Sequence, residues 1–345
     1  MEGTLHNANL TSSTLPAQDL GGVRSEFQAL VSGCGVYQTG SQARIKLTGE
    51  DRVRWLNGMV TNNIRDLAVN HGVYAFLLNP QGRILGDLYA YNLGDSLLIE
   101  TDHSQLAKIL ETFEHYIIMD DVVVEDVTPT FTTIGVAGPK SKIVLEAAGM
   151  NVSDLQPLEA RQCEWQGVKI TIIRREIEKR EGYEIWIAPE SAESLFQSLQ
   201  HSGGSTVSPA ALELYRIALG VPSYSQDIRE RDLPQETEQT RALNFNKGCY
   251  IGQEIVERIR SRGAVHRMFT GFLLDGASSV PGTKIQVEGK DVGEITSSVS
   301  LPAQNGKQHV ALGYIRREVA IQNKEIVAGE TKVSVVKLPF QFIFG

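Results

Sequence analysis

The distribution of glycine along the chain constrains the fold more than any other feature of the sequence. From residue 266 onward, glycines separate short apolar segments, whereas residues 25–265 contain longer segments with helical spacing of apolar side chains. Many short strands joined by glycine turns are typical of a small β-barrel. We therefore predict a C-terminal barrel domain over residues 266–345, with the domain boundary between Arg262 and Arg267.

Residues 25–265 combine strand and helix patterns. Residues 43–47 alternate apolar and polar side chains, as a half-buried strand does. The Asn-Pro-Gln-Gly sequence at 79–82 is typical of a turn between two strands, and residues 103–116 place apolar side chains on one helical face. Interleaved strands and helices of this kind predict an α+β fold rather than a parallel dinucleotide-binding sheet.

Length, charge and motif content argue against several classes of protein. A chain of 345 residues is long enough for two or three domains with large cores. Its formal net charge of −8 argues against general nucleic-acid binding. The sequence has no run of roughly 20 apolar residues, so we predict no membrane span. It also lacks a P-loop, a dinucleotide-binding glycine motif and a G-x-S-x-G nucleophile motif.

Two features of the sequence indicate the cellular compartment. Residues 1–24 are polar and lack the pattern of a secretory signal or of an arginine-rich transit peptide, so we predict a flexible N-terminal extension. The cysteines Cys34, Cys163 and Cys249 are far apart and form no C-x-x-C pair. This pattern favours a reducing compartment and predicts no permanently bound metal. We therefore expect a cytoplasmic protein.

The most informative segment is residues 247–254, which read Lys-Gly-Cys-Tyr-Ile-Gly-Gln-Glu. Gly248 and Gly252 permit backbone conformations that other residues avoid, and a helical pattern begins directly after them. We therefore predict that Cys249 lies in a sharp turn near a helix N-terminus. That position, with Lys247 and several arginines nearby in sequence, favours the thiolate form of a cysteine. The alternative is that Cys249 is a small buried residue.

This segment resembles the K-G-C-Y-x-G-Q-E signature of the YgfZ proteins, which are relatives of the aminomethyltransferase (T-protein) of glycine cleavage. The matching residues are Lys247, Gly248, Cys249, Tyr250, Gly252, Gln253 and Glu254. The resemblance extends from about Ala43 to the C-terminus. It implies a three-domain cloverleaf of the T-protein type, with mixed and antiparallel sheets, helices and a C-terminal β-barrel. A central opening in this fold would bind tetrahydrofolate or a one-carbon-substituted folate.

The resemblance also implies individual site residues. Asp87 falls on the T-protein's catalytic aspartate, Tyr74 on a tyrosine that lines the folate site, and Glu184 on the glutamate that binds the pteridine ring. Arg216 is retained from a later turn and is a further cofactor-binding candidate. A carboxylate can accept two hydrogen bonds from a pterin, and an aromatic ring can stack on it. Asp87 and Cys249 are the candidate catalytic residues.

The chain departs from the T-protein pattern at three places. Gly86 replaces the first of two paired aspartates, and residues 176–179 replace a glycine-rich loop that precedes Glu184. Residues 210–213 lack an arginine that the T-protein has. These departures argue against aminomethyl transfer, although the implied folate-binding residues are retained.

A basic stretch follows the cysteine segment, from Arg258 to Arg267. The rest of the chain is acidic on balance, so this local positive charge is conspicuous. From its charge alone, we expect the stretch to attract the anionic glutamate tail of a folate.

We interpret the chain as an accessory protein that binds tetrahydrofolate and supports the assembly or repair of iron–sulfur clusters. Its partners would be iron–sulfur enzymes or assembly factors, and Cys249 would be a redox, sulfur-handling or cluster-contacting thiol. One cysteine cannot hold a cluster alone, so a partner or a second subunit would supply other ligands. One alternative is an aminomethyltransferase that moves a one-carbon unit from an aminomethyl-lipoyl carrier to tetrahydrofolate. The other is a non-catalytic interaction scaffold.

Overall fold

The computed structural model describes residues 20–176, 180–263, 265–303, 306–320 and 325–344. The helices are α1 (Leu20–Ser32), α2 (Arg52–Met59), α3 (Leu106–Tyr116), α4 (Ser141–Ala147), α5 (Pro189–His201), α6 (Pro209–Leu219), α7 (Gln253–Arg262), α8 (Arg317–Ala320) and α9 (Gln341–Phe344). The strands are β1 (Gly35–Thr39), β2 (Gln42–Thr48), β3 (His71–Leu78), β4 (Ile84–Asn92), β5 (Leu97–Asp102), β6 (Val123–Asp126), β7 (Thr132–Ala137), β8 (Ala160–Trp165), β9 (Val168–Arg174), β10 (Gly182–Ile187), β11 (Ser205–Thr206), β12 (Arg267–Asp275), β13 (Lys284–Val287), β14 (Lys290–Ala303), β15 (Gly306–Arg316), β16 (Ile326–Ala328) and β17 (Thr331–Val336).

A five-stranded sheet with the order β3-β4-β5-β2-β6 forms the first α+β layer. The predicted turn at residues 79–82 is confirmed, since it joins the antiparallel strands β3 and β4, and β5 pairs antiparallel with β4. Alternate residues of these strands point to opposite faces. One face packs its apolar side chains against α2 and α3, with Leu56, Ile99 and Phe113 fully buried. The other face of this sheet carries polar and aromatic residues.

A six-stranded sheet with the order β11-β1-β7-β10-β9-β8 forms the second layer. Its outer face packs against α4 and α5 around Ile134, Leu145 and Leu195. Strand β1 belongs to this sheet, whereas β2, which follows it directly, belongs to the five-stranded sheet. The two α+β units are therefore intertwined rather than consecutive along the chain.

The inner faces of the two sheets pack against each other. Arg44 on β2 and Trp186 on β10 meet near the middle, with the guanidinium 4.7 Å from the ring centroid. Tyr91 on β4 contacts the same indole edge-on at 5.3 Å. Both aromatic side chains are buried, so this contact holds the sheets together while leaving polar groups between them.

The C-terminal domain is a closed barrel with the order β12-β15-β14-β13-β16-β17. The barrel contacts the rest of the chain at Asp227, which lies in the segment after α6 and has a fully buried side chain. This carboxylate accepts hydrogen bonds from Arg216 Nη1 at 2.7 Å and Ser297 Oγ at 2.7 Å, which join α6 to β14. The α+β fold with a C-terminal barrel, predicted from the sequence, is thereby confirmed.

Helix α1 includes residues that we predicted to belong to the N-terminal extension. Residues 1–19 of the proposed flexible extension lie outside the described residues, and the last five residues of that extension belong to α1. Phe27 and Leu30 of this helix are buried in the same cluster as residues of α6 and the barrel. Polar residues before and within the helix hide this apolar face in the sequence.

Candidate functional site

A cavity lies where the inner faces of the two sheets diverge. Its empty volume is about 590 Å³ including its open mouth, a size typical of small-molecule sites. Tyr74, Asp87, Tyr89 and Glu100 line it from β3, β4 and β5, and Arg175 lines it from the segment after β9. All five side chains are polar, and the four from strands belong to a sheet whose opposite face is apolar. The cavity is therefore a polar site built on a rigid frame.

Asp87 lies in the cavity wall with a donor on each of its carboxylate oxygens. Tyr74 Oη donates to Asp87 Oδ2 at 2.6 Å, and Gln105 Nε2 donates to Asp87 Oδ1 at 2.8 Å. Burial raises the pKa of Asp87, whereas the Tyr74 and Gln105 hydrogen bonds lower it. The structure therefore brings together two residues, Tyr74 and Asp87, that the sequence assigned to one site.

Four charged side chains form a chain between the sheets, and two of them, Glu100 and Arg175, also line the cavity. Arg44 contacts Glu100 at 3.1 Å, Arg175 contacts Glu100 at 3.0 Å, and Arg175 contacts Glu184 at 3.3 Å. Two arginines thus face two carboxylates between the sheets. Buried charges in proteins are paired in this way because an isolated one is strongly destabilising.

Glu184 lies behind the wall of the cavity rather than in it. It is 5% exposed, and Gln42 Nε2 donates to its Oε1 at 3.4 Å. Burial raises the pKa of Glu184 to about 7, against the opposing effect of Arg175. Gln42 and Arg175 both line the cavity, so a ligand reaches Glu184 only where one of these two side chains gives way.

Two guanidinium groups cover the aromatic side chains of the cavity. Arg175 lies 4.2 Å from the centroid of Tyr89, and Arg241 lies 4.5 Å from that of Tyr74. Arg241 also contacts Glu176 at 3.0 Å. Glu176 and Arg241 line a wider opening between the α+β units and the barrel, which has an empty volume of about 1410 Å³. Arg241 therefore stands between the two spaces.

Arg216 does not belong to this site, contrary to the prediction. Its guanidinium donates to Glu213, to the carbonyl oxygen of Val221 at 2.7 Å and to Asp227 at 2.7 Å. It does not line the cavity that holds Asp87. Its position on α6 directs it to the barrel interface, where its charge is needed to pair with a fully buried carboxylate.

The cysteine segment forms a turn that leads into α7, as predicted. Gly252 has a φ of +79° and caps the helix, and Gly82 has a φ of +70°. An added Cβ at Gly252 would lie 2.5 Å from the carbonyl oxygen of Asn79 and 3.1 Å from Gly82 Cα. The segment therefore rests on the turn between β3 and β4, and β4 carries Asp87.

Cys249 is exposed in this turn, so the interpretation as a small buried residue is wrong. Lys247, in contrast, is buried and is not a free cation beside the thiol. Its ammonium donates to the carbonyl oxygens of Asn57, Val60 and Asn62. Burial lowers the pKa of Lys247 to about 7, whereas the three carbonyl acceptors favour its charged form. Lys247 anchors the segment, and the thiolate form of Cys249 stays a prediction.

Two arginines of the basic stretch from Arg258 to Arg267 contact other side chains of the protein. Arg267 contacts Asp232 at 2.7 Å and Glu236 at 2.8 Å. Arg260 lies 4.5 Å from the centroid of Phe245. None of the described side chains of this stretch lines the cavity that holds Asp87. A role in attracting a folate tail to that cavity is therefore not supported by their positions.

The sequence did not indicate several residues of the cavity, namely Gln42, Tyr89, Glu100, Gln105 and Arg175. Each stands in or beside a strand, where a polar residue commonly faces solvent. A signal in the sequence existed for Glu100, whose charge follows directly on the apolar residues 97–99.

In the part of the chain that the structure describes, no three His, Cys, Asp or Glu side chains are grouped to hold a metal ion. None of the described helices is long and apolar enough to cross a membrane. Residues 177–179, which replace the glycine-rich T-protein loop, lie outside the described residues.

Replacing Gly252 tests the fit of the cysteine segment on the β3–β4 turn. Gly252→Ala should lower the free energy of unfolding by about 1–3 kcal/mol, because alanine disfavours this φ and its Cβ meets backbone. Gly248→Ala is the matched control, since an added Cβ there meets nothing within 4 Å. Urea denaturation of both variants measures the effect, and equal losses at the two glycines would contradict the packing described here.

Replacing Glu184 tests the buried charge cluster through pH. The pKa of Glu184 is raised from 4.5 to about 7, so the folded protein binds more protons than the unfolded chain between these values. The free energy of unfolding therefore falls as pH rises through this window.

Glu184→Gln cannot titrate at this position and should remove that fall. Between pH 4.5 and pH 7, the free energy of unfolding of the variant should therefore rise relative to that of wild type by on the order of 2 kcal/mol. Urea midpoints across this range measure the effect. Glu164→Gln, at an exposed position, controls for the loss of one carboxylate. A difference from wild type that does not vary with pH would contradict the raised pKa.

Comparisons with known proteins agree with this fold. Residues 14–247 match the family model described as the GCVT N-terminal domain, and residues 261–340 match the model of the CAF17 C-terminal beta-barrel domain. A putative chloroplastic transferase of Arabidopsis thaliana is 28% identical over 90% of this chain and 72% of its own length. An aminomethyltransferase of Lysinibacillus sphaericus is 25% identical over 94% of this chain and 91% of its own length.

A solved structure shows the same architecture. The glycine cleavage system aminomethyltransferase T from Bartonella henselae superposes with a TM-score of 0.82, at 22% identity, over 92% of this chain and 89% of its own. At that identity the likeness concerns the fold alone. Since the GCVT model covers more than half of the sequence, the chain belongs to the GCVT family and carries a C-terminal barrel of the CAF17 type.

Proposed function

We propose that this protein is a cytoplasmic tetrahydrofolate-binding accessory protein that supports the assembly or repair of iron–sulfur clusters, as the resemblance to the YgfZ proteins implies. The observation that carries the folate half is the cavity itself. Tyr74 and Asp87 line it together, and Glu184 lies directly behind Gln42 and Arg175. The β3–β4 hairpin thus brings Tyr74 and Asp87 to the cavity, and the packing of the second sheet brings Glu184 close behind its wall.

The groups present suit a reduced folate. A pterin offers an amino group and a ring N–H as donors, and Glu100 in the wall and Glu184 behind it are carboxylate acceptors. Tyr89 provides an aromatic face for the ring, provided that the Arg175 guanidinium now over it moves aside. Gln42 can supply both a donor and an acceptor. Folate specificity would rest on these side chains.

Bound tetrahydrofolate would supply a ring nitrogen that carries a one-carbon group. Asp87 is suited to stabilise positive charge at such a nitrogen, since its half-buried carboxylate lies in the cavity wall and is fixed by two donors. Tyr74 and Gln105 orient it, and the surrounding sheets restrict the access of water. These features serve binding and a transfer reaction equally well.

Cys249 would provide the link to iron–sulfur clusters. Its thiol is exposed at the N-terminal end of α7, and Lys247 and Gly252 fix the turn around it. An exposed thiol on a firm support can contact a client protein, carry sulfur or contribute one ligand to a cluster. The other ligands would come from an iron–sulfur enzyme or assembly factor.

The alternative function is aminomethyl transfer to tetrahydrofolate. Two observations favour it: Asp87 lies in the cavity with a raised pKa, and relatives over most of this chain are named aminomethyltransferase. Gly86 in place of an aspartate and the altered residues 176–179 argue against it. A scaffold without folate binding is the third function, although the polar cavity would then have no role.

The function is tested by calorimetric titration with tetrahydrofolate under anaerobic conditions, followed by an aminomethyl-transfer assay on the same preparation. We expect binding without transfer. Glu184→Gln should weaken binding by about 1–3 kcal/mol, because pterin donors would lose a charged acceptor. Glu164→Gln should leave the affinity unchanged. Binding with transfer would favour the aminomethyltransferase, and no binding would leave only the scaffold.

The role of Cys249 is tested in cells that lack the endogenous protein. Cys249→Ala should fold and bind tetrahydrofolate normally yet fail to restore the activity of iron–sulfur enzymes, because no other described thiol is exposed. Cys163→Ala is the matched control and should restore that activity. Full restoration by Cys249→Ala would exclude a role for this thiol.

A further inference from the structure

Gln105 is a buried polar residue whose contacts point to a role in the site. It is 2% exposed and ends the short 3₁₀ turn His103–Gln105, between β5 and α3. Its side chain makes two hydrogen bonds, both to Asp87. The backbone N–H of Asp87 donates to Gln105 Oε1 at 2.9 Å, and Gln105 Nε2 donates to Asp87 Oδ1 at 2.8 Å.

The two-point contact depends on the absence of a side chain at position 86. A Cβ added at Gly86 would lie 2.9 Å from Gln105 Oε1, closer than such atoms approach. The amide could then not reach the backbone of Asp87 in its present position. Gly86, which departs from the T-protein pattern, and Gln105 thus form a matched pair in this chain.

The contact fixes the orientation of the Asp87 carboxylate. Gln105 holds Oδ1 and Tyr74 holds Oδ2, while Thr101 Oγ1 donates to the Asp87 backbone carbonyl at 2.8 Å. A carboxylate has about four lone-pair positions, so two of them stay available to a ligand in the cavity. The neutral amide also adds a donor without bringing a second negative charge close to Asp87.

We propose that Gln105 is a positioning residue for Asp87: with Gly86 it holds the carboxylate in the orientation in which it meets a bound folate. This inference rests on the proposed folate binding. Where Gly86 replaces the first of the paired aspartates, the Gln105 amide reaches Asp87 from the N-terminal side of α3.

Other charged and titratable groups face Asp87 and must be kept constant in a test. They are Tyr74 from β3, Asp102 from the end of β5 and Tyr224 from the segment after α6. Gln105 is uncharged, so its replacement by leucine removes one donor to the Asp87 carboxylate and one acceptor for the Asp87 backbone N–H, and adds no charge. Leucine has a similar volume, which limits the effect on packing.

The test is a double-mutant cycle with Gln105→Leu, Asp87→Asn and the double variant, in which anaerobic calorimetry measures tetrahydrofolate affinity. Gln105→Leu alone should weaken binding about tenfold or more, as expected for loss of a hydrogen bond to a charged group. In the Asp87→Asn background the same change should weaken binding much less, because the charged acceptor is already gone and only the contact with the backbone N–H of residue 87 is lost. Gln235→Leu is the control, since the Gln235 amide bonds the carbonyl oxygen of Val256 instead.

A second measurement needs no ligand. Titration of selectively ¹³C-labelled aspartate by NMR, with Asp87→Asn for assignment, should show a higher pKa of Asp87 in Gln105→Leu than in wild type. An unchanged pKa, or equal weakening of folate binding in both backgrounds, would overturn the positioning role. If the pKa of Asp87 rises in Gln105→Leu but the protein binds no folate, the contact between Gln105 and Asp87 is supported. That result would refute the proposed function and, with it, the positioning role toward a folate.

Discussion

The buried contact of Arg44 and Arg175 with Glu100 and Glu184 is the interaction on which the rest of the site depends. It lies between two sheets whose outer faces are covered by helices, and Arg44, Glu100 and Glu184 are buried there. Removing one partner of such a network typically costs about 3–5 kcal/mol, because an uncompensated charge stays buried. The cluster therefore fixes the separation of the sheets and creates the polar space beside it.

The same frame connects the cavity to the cysteine segment. Strand β4 carries Asp87 toward the cavity and begins at the turn on which Gly252 rests. Tyr250 of the segment packs in one apolar cluster with Tyr74, and Lys247 ties it to the residues around α2. A folate site and an exposed thiol thus share one support, which makes a protein that uses both physically reasonable.

Local sequence patterns predicted those parts of the structure that local interactions determine. The β3–β4 hairpin follows from the turn at 79–82, and the Gly252 turn follows from its glycines. Lys247 was misinterpreted because its three acceptors lie nearly 190 positions earlier in the chain. Glu100 and Arg175 were missed for the same reason: they are 75 positions apart, and only the packing of the two sheets brings them together. Residue roles for Tyr74, Asp87 and Glu184 came from the family resemblance and stay predictions.

The most direct measurement is a crystal structure of the protein with tetrahydrofolate, prepared without oxygen. We predict that the pterin lies in the cavity between the sheets, with its ring against Tyr89. Its N–H groups should donate to Glu100 or Glu184, and a ring nitrogen should lie within hydrogen-bond distance of Asp87. Folate bound only in the wider opening beside Lys337, with Asp87 and Glu184 untouched, would contradict it.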